Sequence, residues 1–158
     1  MTATTDAVPK PGGKLPPRAV IRAAWVIHRA IHRVSGGRMG LRPASEKTWG
    51  MMRLKTIGRK SGQERAAILG YFEDGPNLVT LAMNGWGEPE PAWWLNPQAH
   101  PDTTVELHDR ELAVRGRAVT PDERPRLREL WRRYDGDELD AWASRRPHET
   151  AVVILEPR

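Results

Sequence analysis

The residues best equipped for chemistry lie in one short run, Thr56-Ile57-Gly58-Arg59-Lys60-Ser61-Gly62-Gln63-Glu64-Arg65. It gathers three cations, Arg59, Lys60 and Arg65, around the Ser61 hydroxyl and two glycines. Glycine admits positive φ and lets backbone N–H groups approach a ligand. Successive N–H groups in such a turn form an anion cradle. Guanidinium groups fork onto phosphate or carboxylate oxygens, and a lysine adds a point charge. The chemistry on offer is capture of an anion. The Gly-x4-Gly-Lys-Ser/Thr spacing of a nucleotide phosphate loop is missing, and a strand rather than a helix is expected to follow. Residue types alone leave two readings open, a solvated basic turn or an anion site.

No nucleophile–base arrangement stands out elsewhere. The chain has no cysteine, which excludes disulfides, thiolate nucleophiles and zinc–thiolate sites. His28 and His32 stand four apart, a spacing able to hold a metal, but no acidic residue adjoins them and a helix flank is the simpler reading. His100 and His108 read as exposed, and His148 precedes the last strand with no partner visible in the sequence. Among the seven tryptophans, Trp49, Trp131 and Trp142 read as core or rim and Trp25 as helix packing. Trp93 and Trp94 are adjacent, so on a helix they point about 100° apart, one toward a core and the other toward a pocket.

These groups need a scaffold. Residues 1–16 are rich in Pro and Gly and read as a flexible tail. A helix is expected over 17–35, with Val20, Ala24, Ile27, Ile31 and Val34 on one face and Arg18, Arg22, Arg29 and Arg33 on the other. Strands are expected over Thr48–Thr56, Arg65–Glu73, Leu78–Met83, Thr103–His108, Glu111–Val119 and Ala151–Leu155, with turns at Gly58–Gly62, Asp74–Asn77 and Asp109-Arg110. Pro91–Asn96 reads as a short helix closed by Pro97. Thr120, Pro121 and Glu123 form a capping-box pattern opening a helix to about Tyr134, and another short helix is expected over Glu138–Ser144. The charges along Glu123, Arg124, Arg126, Arg128, Glu129, Arg132 and Arg133 read as a solvated face. Strands joined by short turns cannot be parallel crossovers. The expected fold is α+β and mainly β: a six-stranded, mostly antiparallel barrel with helices outside, forming one domain over 17–158.

Charge is uneven along the chain. Residues 1–42 hold eight Lys or Arg against one acid, Asp6, for +7, while residues 43–158 hold 17 basic and 19 acidic residues, for −2. A basic arm that meets something anionic is expected, an anionic membrane surface being one partner for its amphipathic helix and the barrel itself another. The near-neutral body argues against a nucleic-acid binder. No apolar run approaches the roughly 20 residues a membrane-spanning helix needs, and the N-terminus lacks a secretory signal's apolar region. The expected location is cytoplasmic, with the inner face of the membrane as a peripheral site.

Three blocks in order resemble the deazaflavin-dependent nitroreductases. They are GRKSG followed by Arg65, the segment Tyr71–Gly75 leading into Leu78–Met83, and Pro91-Ala92-Trp93-Trp94-Leu95-Asn96-Pro97 followed by Ala99-His100-Pro101. The resemblance implies a split β-barrel that binds coenzyme F420 and passes its hydride to an electron-poor acceptor, an activated alkene, quinone or nitro compound. It implies that Arg59, Lys60, Ser61, Gly62, Gln63 and Arg65 grip the coenzyme's phosphate and oligoglutamate tail. Arg53, Leu54 and Lys55 would lie along the deazaflavin. Leu81, Ala82, Met83 and Asn84 would run beside its ring, and Ala92, Trp93 and Trp94 would wall the pocket. Tyr134 is the candidate proton donor. A monomer or homodimer is expected, with no metal.

The sequence departs from the family pattern at three places. Met83-Asn84-Gly85-Trp86 stands where Ser-Lys-Gly-Gly is common, Ile68 where proline is, and Gly70 where an aromatic is frequent. The lost lysine and added Trp86 imply a different acceptor pocket. They also keep open a non-catalytic carrier of F420 or a fatty acyl chain. An FMN-dependent oxidase on a similar barrel is the other alternative.

Overall fold

A computed structural model describes residues 40–136 and 138–158, together with Ala19 and Ala23. The expected tail and N-terminal helix therefore lie outside the described residues, apart from those two alanines. The elements in order are β1 (Gly50–Ile57), β2 (Glu64–Asp74), β3 (Asn77–Leu81), a tight turn (Asn84–Trp86), α1 (Ala92–Ala99), β4 (Asp102–Glu106), β5 (Glu111–Ala118), α2 (Arg124–Asp135), α3 (Glu138–Ala143) and β6 (Val152–Pro157). All six strands pair antiparallel and close in the order β1-β2-β3-β6-β5-β4.

Alternation along the strands builds two cores, one on each side of the sheet. Met52 and Leu54 of β1, Tyr71 of β2, Val105 of β4, Val114 of β5 and Val153 and Leu155 of β6 fill the barrel with Trp94. Phe72, Val79, Leu81, Val152 and Ile154 face outward, beneath Leu127 and Trp131 of α2 and Leu139 of α3. Leu127, Trp131 and Tyr134 recur at helical spacing with Leu130 beside them, and that stripe holds α2 on the barrel; the arginines and Glu129 take the positions that stay wet. Those charges are paired: Arg126 with Asp74 at 2.7 Å, Arg128 with Asp140 at 2.6 Å, and Arg132 with Asp140.

Several boundaries differ from the sequence reading for local reasons. β3 ends at Leu81 rather than Met83, because Asn84-Gly85-Trp86 turns the chain through positive φ. α1 runs through Pro97 to Ala99; a proline in so short a helix forfeits one backbone bond, and the last turn is closed by His100 N–H donating to Asn96 O at 2.8 Å. The capping box forms as expected, with Thr120 N–H donating to Glu123 Oε2 at 2.8 Å and Glu123 N–H to Thr120 Oγ1 at 3.3 Å. Regular α2 nevertheless starts only at Arg124, after a turn over 121–123. Gly70 is explained by Trp49: a Cβ at Gly70 would come within 2.8 Å of Trp49 Cε3, so an aromatic from the preceding segment covers this position.

The barrel is split at one seam. β2 and β3 are laddered only over Phe72–Asp74 and Asn77–Val79. The Thr80 hydroxyl donating to Gly70 O at 2.7 Å is their last tie. Beyond it Glu64–Leu69 pairs with β1 alone, while the chain after Leu81 follows β6 as far as Ala82 and then turns. Helix α1 packs across β1, β2 and β5. The cationic turn, at the outer end of β2, belongs to this seam.

Candidate functional site

The turn between β1 and β2 is a built structure. Gly58 N–H donates to Gln63 O and Gly62 N–H to Gly58 O, both at 2.8 Å. Gly62 has φ of 65°, which a side chain would oppose. Ser61 Oγ accepts from Gln63 N–H at 3.3 Å and from Arg65 Nη2 at 3.5 Å. One buried side chain pins the turn from outside: Asn96 of α1, 4 % exposed. Its Oδ1 accepts from Arg59 N–H at 3.1 Å and its Nδ2 donates to Thr56 Oγ1 at 3.0 Å. Asn96 was not among the residues singled out from sequence for the site. The Asn-Pro pair inside the Trp-rich block was its only signal there.

Charge divides sharply along this wall. Arg59, Lys60 and Arg65 are exposed and have no carboxylate partner among the described residues. Three and five residues before the turn the pattern reverses. Arg53 meets Glu106 at 2.9 Å, and Lys55 meets Glu106 as well as Glu111 at 2.9 Å. The bonds to Glu106 and then Glu111 hold the Lys55 ammonium above the ordinary lysine range. Burial pushes the Glu106 carboxyl up, but the bonds from Lys55 and Arg53 outweigh it and leave it below the usual range. Lys55 thus keeps its proton near neutral pH and is a poor acid there. Leu54, between these two, points into the barrel and is fully buried.

In the β1–β2 register Arg65 lies opposite Thr56, Ala67 opposite Leu54, and Leu69 opposite Met52. Arg65, Ala67 and Leu69 therefore share the barrel's inner face and line the seam below the turn. The two adjacent tryptophans take separate roles: Trp94 is buried in the core, while Trp93 is half-buried against it, their ring centroids 6.5 Å apart. Ala92 is exposed.

Across the seam, Leu81 and Ala82 are buried, Met83 is half-buried and Asn84 is exposed. Trp86 leans on Trp142 of α3, their centroids 6.0 Å apart. Tyr134 lies on the outward side, stacked on Phe72 at 6.3 Å, with its hydroxyl donating to Ser45 O at 3.0 Å. His148, expected to lack a partner, has two: Glu90 Oε1 at 2.9 Å and Arg146 Nη2 at 2.8 Å.

A split barrel with an unneutralised cationic turn at its seam fits several flavin-like ligands, and comparison with known proteins decides among them. The sequence pattern of the F420H(2)-dependent quinone reductase family matches residues 25–157. The chain belongs to that family. Its F420-dependent relatives include the Mycobacterium tuberculosis protein Rv3178, which carries the name of an F420H(2)-dependent quinone reductase. That protein is 34 % identical over 110 residues, covering 66 % of this chain and 87 % of the relative. Among solved structures, the F420-H2 dependent reductase FDR-A superposes with a TM-score of 0.59 at 23 % identity, covering 67 % of this chain and 93 % of that one. A structure described as a domain-swapped dimer superposes with a TM-score of 0.63 at 22 % identity, covering 89 % and 100 %. At such identities the likeness of the solved structures is one of fold.

This quinone reductase family member is accordingly an F420-dependent oxidoreductase. The chain's donor set suits that coenzyme, which is strongly anionic at one end and a flat aromatic at the other. The turn offers cations with no carboxylate partner among the described residues for the first, and the seam offers aliphatic side chains and the Trp93 ring for the second. Among the described residues no group of three or more His, Asp or Glu gathers as a metal site. No helix of the described residues is long and apolar enough to cross a membrane.

Proposed function

We propose that this enzyme reduces a quinone in the seam of its barrel, with the β1–β2 turn holding the coenzyme's acidic end. Arg59, Lys60 and Arg65 bind phosphate and carboxylate oxygens, Ser61 and Gln63 complete the cradle, and Gly62 lets the backbone adopt it. Leu81, Ala82, Met83 and Asn84 flank the ring on one side, with Ala92, Trp93 and Trp94 below. Leu54 supports that floor from the core. Arg53 and Lys55 act through their fixed ion pairs, setting the charge beside the ring without giving up a proton. When bound, reduced F420 supplies the hydride.

The single observation supporting this reading most is the contrast in pairing. Three clustered cations lack a carboxylate partner among the described residues, on a turn that a buried asparagine holds in shape. A merely solvated turn has no need of such an anchor. Fluorescence titration with F420, then turnover of menadione with the reduced coenzyme, tests the proposal. Absence of saturable binding would end it.

The proton is assigned to Tyr134. Its hydroxyl must exchange the Ser45 carbonyl for the acceptor to serve. Tyr134→Phe is then expected to lower kcat on the order of a hundredfold and leave F420 affinity unchanged. The basic arm of residues 1–42 suits an anionic membrane, where a lipid-soluble quinone resides. Co-sedimentation with anionic liposomes should weaken when residues 1–35 are removed; equal pelleting would dismiss this part of the proposal.

A further inference from the structure

We propose that Arg146 is a positioning residue for acceptor reduction. Its buried guanidinium holds the Ala82–Glu90 segment, the wall of the seam opposite the cationic turn, in the shape that the acceptor packs against. The inference rests on the reading above that the ring lies beside Leu81–Asn84.

The side chain of Arg146 has 0 % exposure. Nε donates to Gly87 O at 3.0 Å, and Nη1 donates to Ala82 O at 2.8 Å and to Thr150 Oγ1 at 2.9 Å. Nη2 lies 2.8 Å from His148 Nε2 and 3.6 Å from Glu90 Oε1. One guanidinium thus grips the wall at Ala82, Gly87 and Glu90, and ties it to the approach of β6 at His148 and Thr150. A planar fork with five donors is the side chain able to serve so many acceptors at once.

This wall needs an external hold. Asn84, Gly85 and Trp86 have φ of 46°, 59° and 61° in succession. For a bulky residue such as Trp86 that conformation is a genuine outlier. It persists only where the surroundings over-determine it. The bonds internal to the segment are few: Trp86 N–H to Met83 O at 2.7 Å, Gly87 N–H to Asn84 O at 3.0 Å, and Asn84 Nδ2 to Pro89 O at 2.8 Å. They close the turn on itself without fixing it to the barrel. Arg146 ties its Gly87–Glu90 end to the approach of β6, alongside the Ala82 N–H to Ala151 O bond at 2.9 Å, the packing of Met83 and Trp86 on the outer core, and the Trp86–Trp142 contact. The position lies far along the chain from every residue of the coenzyme turn, and touches the seam only from behind.

Two variants of the full-length protein test the clamp. Arg146→Lys keeps the charge and loses the fork; Arg146→Gln loses both. Hydrogen exchange without cofactor is the first readout. The Trp86 and Gly87 amides, which open locally, are expected to exchange about tenfold faster in both variants. The second readout is turnover of menadione by the F420-loaded protein. The value of kcat per bound cofactor is expected to fall on the order of tenfold to a hundredfold, Lys less than Gln, because small misplacements of a reacting pair are costly. The F420 Kd should stay within about twofold of wild type, since the turn does not share these contacts.

A purely structural role would reduce the amount of competent protein and leave kcat per bound cofactor unchanged. That result, or unaltered exchange at Trp86 and Gly87, overturns the proposal. Wild-type protein that fails to bind F420 would refute the parent reading in its own titration; the exchange rates then decide the clamp by themselves.

Discussion

The two walls of the seam use arginine in opposite ways. On the turn side, Arg59 and Arg65 are exposed, beside Lys60, with no carboxylate partner among the described residues. On the other side Arg146 is buried and surrounded by five polar partners. The difference follows from solvation. A guanidinium taken out of water must be saturated by acceptors in the protein, or its desolvation is uncompensated. One left in water can remain uncommitted and is free to bind a ligand. The first kind of arginine fixes shape, and the second supplies affinity.

The comparison makes predictions that differ in size. The greatest effect on stability is expected from Arg146→Met, which leaves the Ala82 and Gly87 carbonyls without their donor while Glu90 keeps His148. It should cost about 1–3 kcal/mol of stability for each stranded carbonyl, read as a lower urea midpoint. A variant that unfolds like wild type would erase the contrast between the walls.

Next is the double variant Arg59→Ala/Arg65→Ala. Each lost charge-assisted bond is worth about 1.5–3 kcal/mol, so F420 affinity should fall about a hundredfold or more, with the thermal midpoint unmoved. Affinity should also weaken with salt in wild type and do so less in the variant. A loss of stability in place of affinity would mean that these cations are structural after all.

Asn96→Ala sits between the two classes, because it removes a buried anchor from an exposed turn. It should cost about 1–3 kcal/mol of stability and weaken F420 binding as well, measured by melting and titration on the same sample. An effect on melting alone would detach the anchor from the site.

The smallest effect concerns acid. Arg117's fork, and then the Thr120 N–H, pull the Glu123 carboxyl down to about 2 from its usual 4.5. A depressed folded value means the stabilisation is complete above about pH 4.5 and fades as pH falls toward 2. The group is exposed, so the contribution is modest and screened by salt. Glu123→Gln should flatten the melting temperature against pH in that window; an unchanged slope would assign the acid sensitivity to Asp74 and Asp140, whose carboxyls Arg126 and Arg128 also hold low.

Local physics made much of the molecule legible from residues alone. Apolar and alternating runs bounded by turn residues located all six strands, the Asp74–Asn77 turn and the capping box at Thr120 were as expected, and the cationic turn was visible because its residues are contiguous. Boundaries moved for local reasons, where the chain turns through positive φ at Asn84–Trp86 and where α1 runs on through Pro97 to a last turn closed by His100. The ring partners of Trp93 and Trp94 were undecidable from spacing, since adjacent helical residues differ only in which neighbour they meet.

What the sequence determined by itself was every feature carried by neighbours in the chain: strand period, turn chemistry, and a block of cations too dense to ignore. What only the tertiary structure decided was pairing across distance. Arg53, Lys55 and the turn cations look alike in sequence, yet Glu106 and Glu111, about fifty residues away, neutralise the first two and leave the others open. Nothing in the sequence marks Arg146, and His148 shows no partner there, until folding delivers Glu90, Ala82 and Gly87 to them. The reason is that desolvation and charge pairing depend on which segments the barrel brings together, and a linear string does not carry that information.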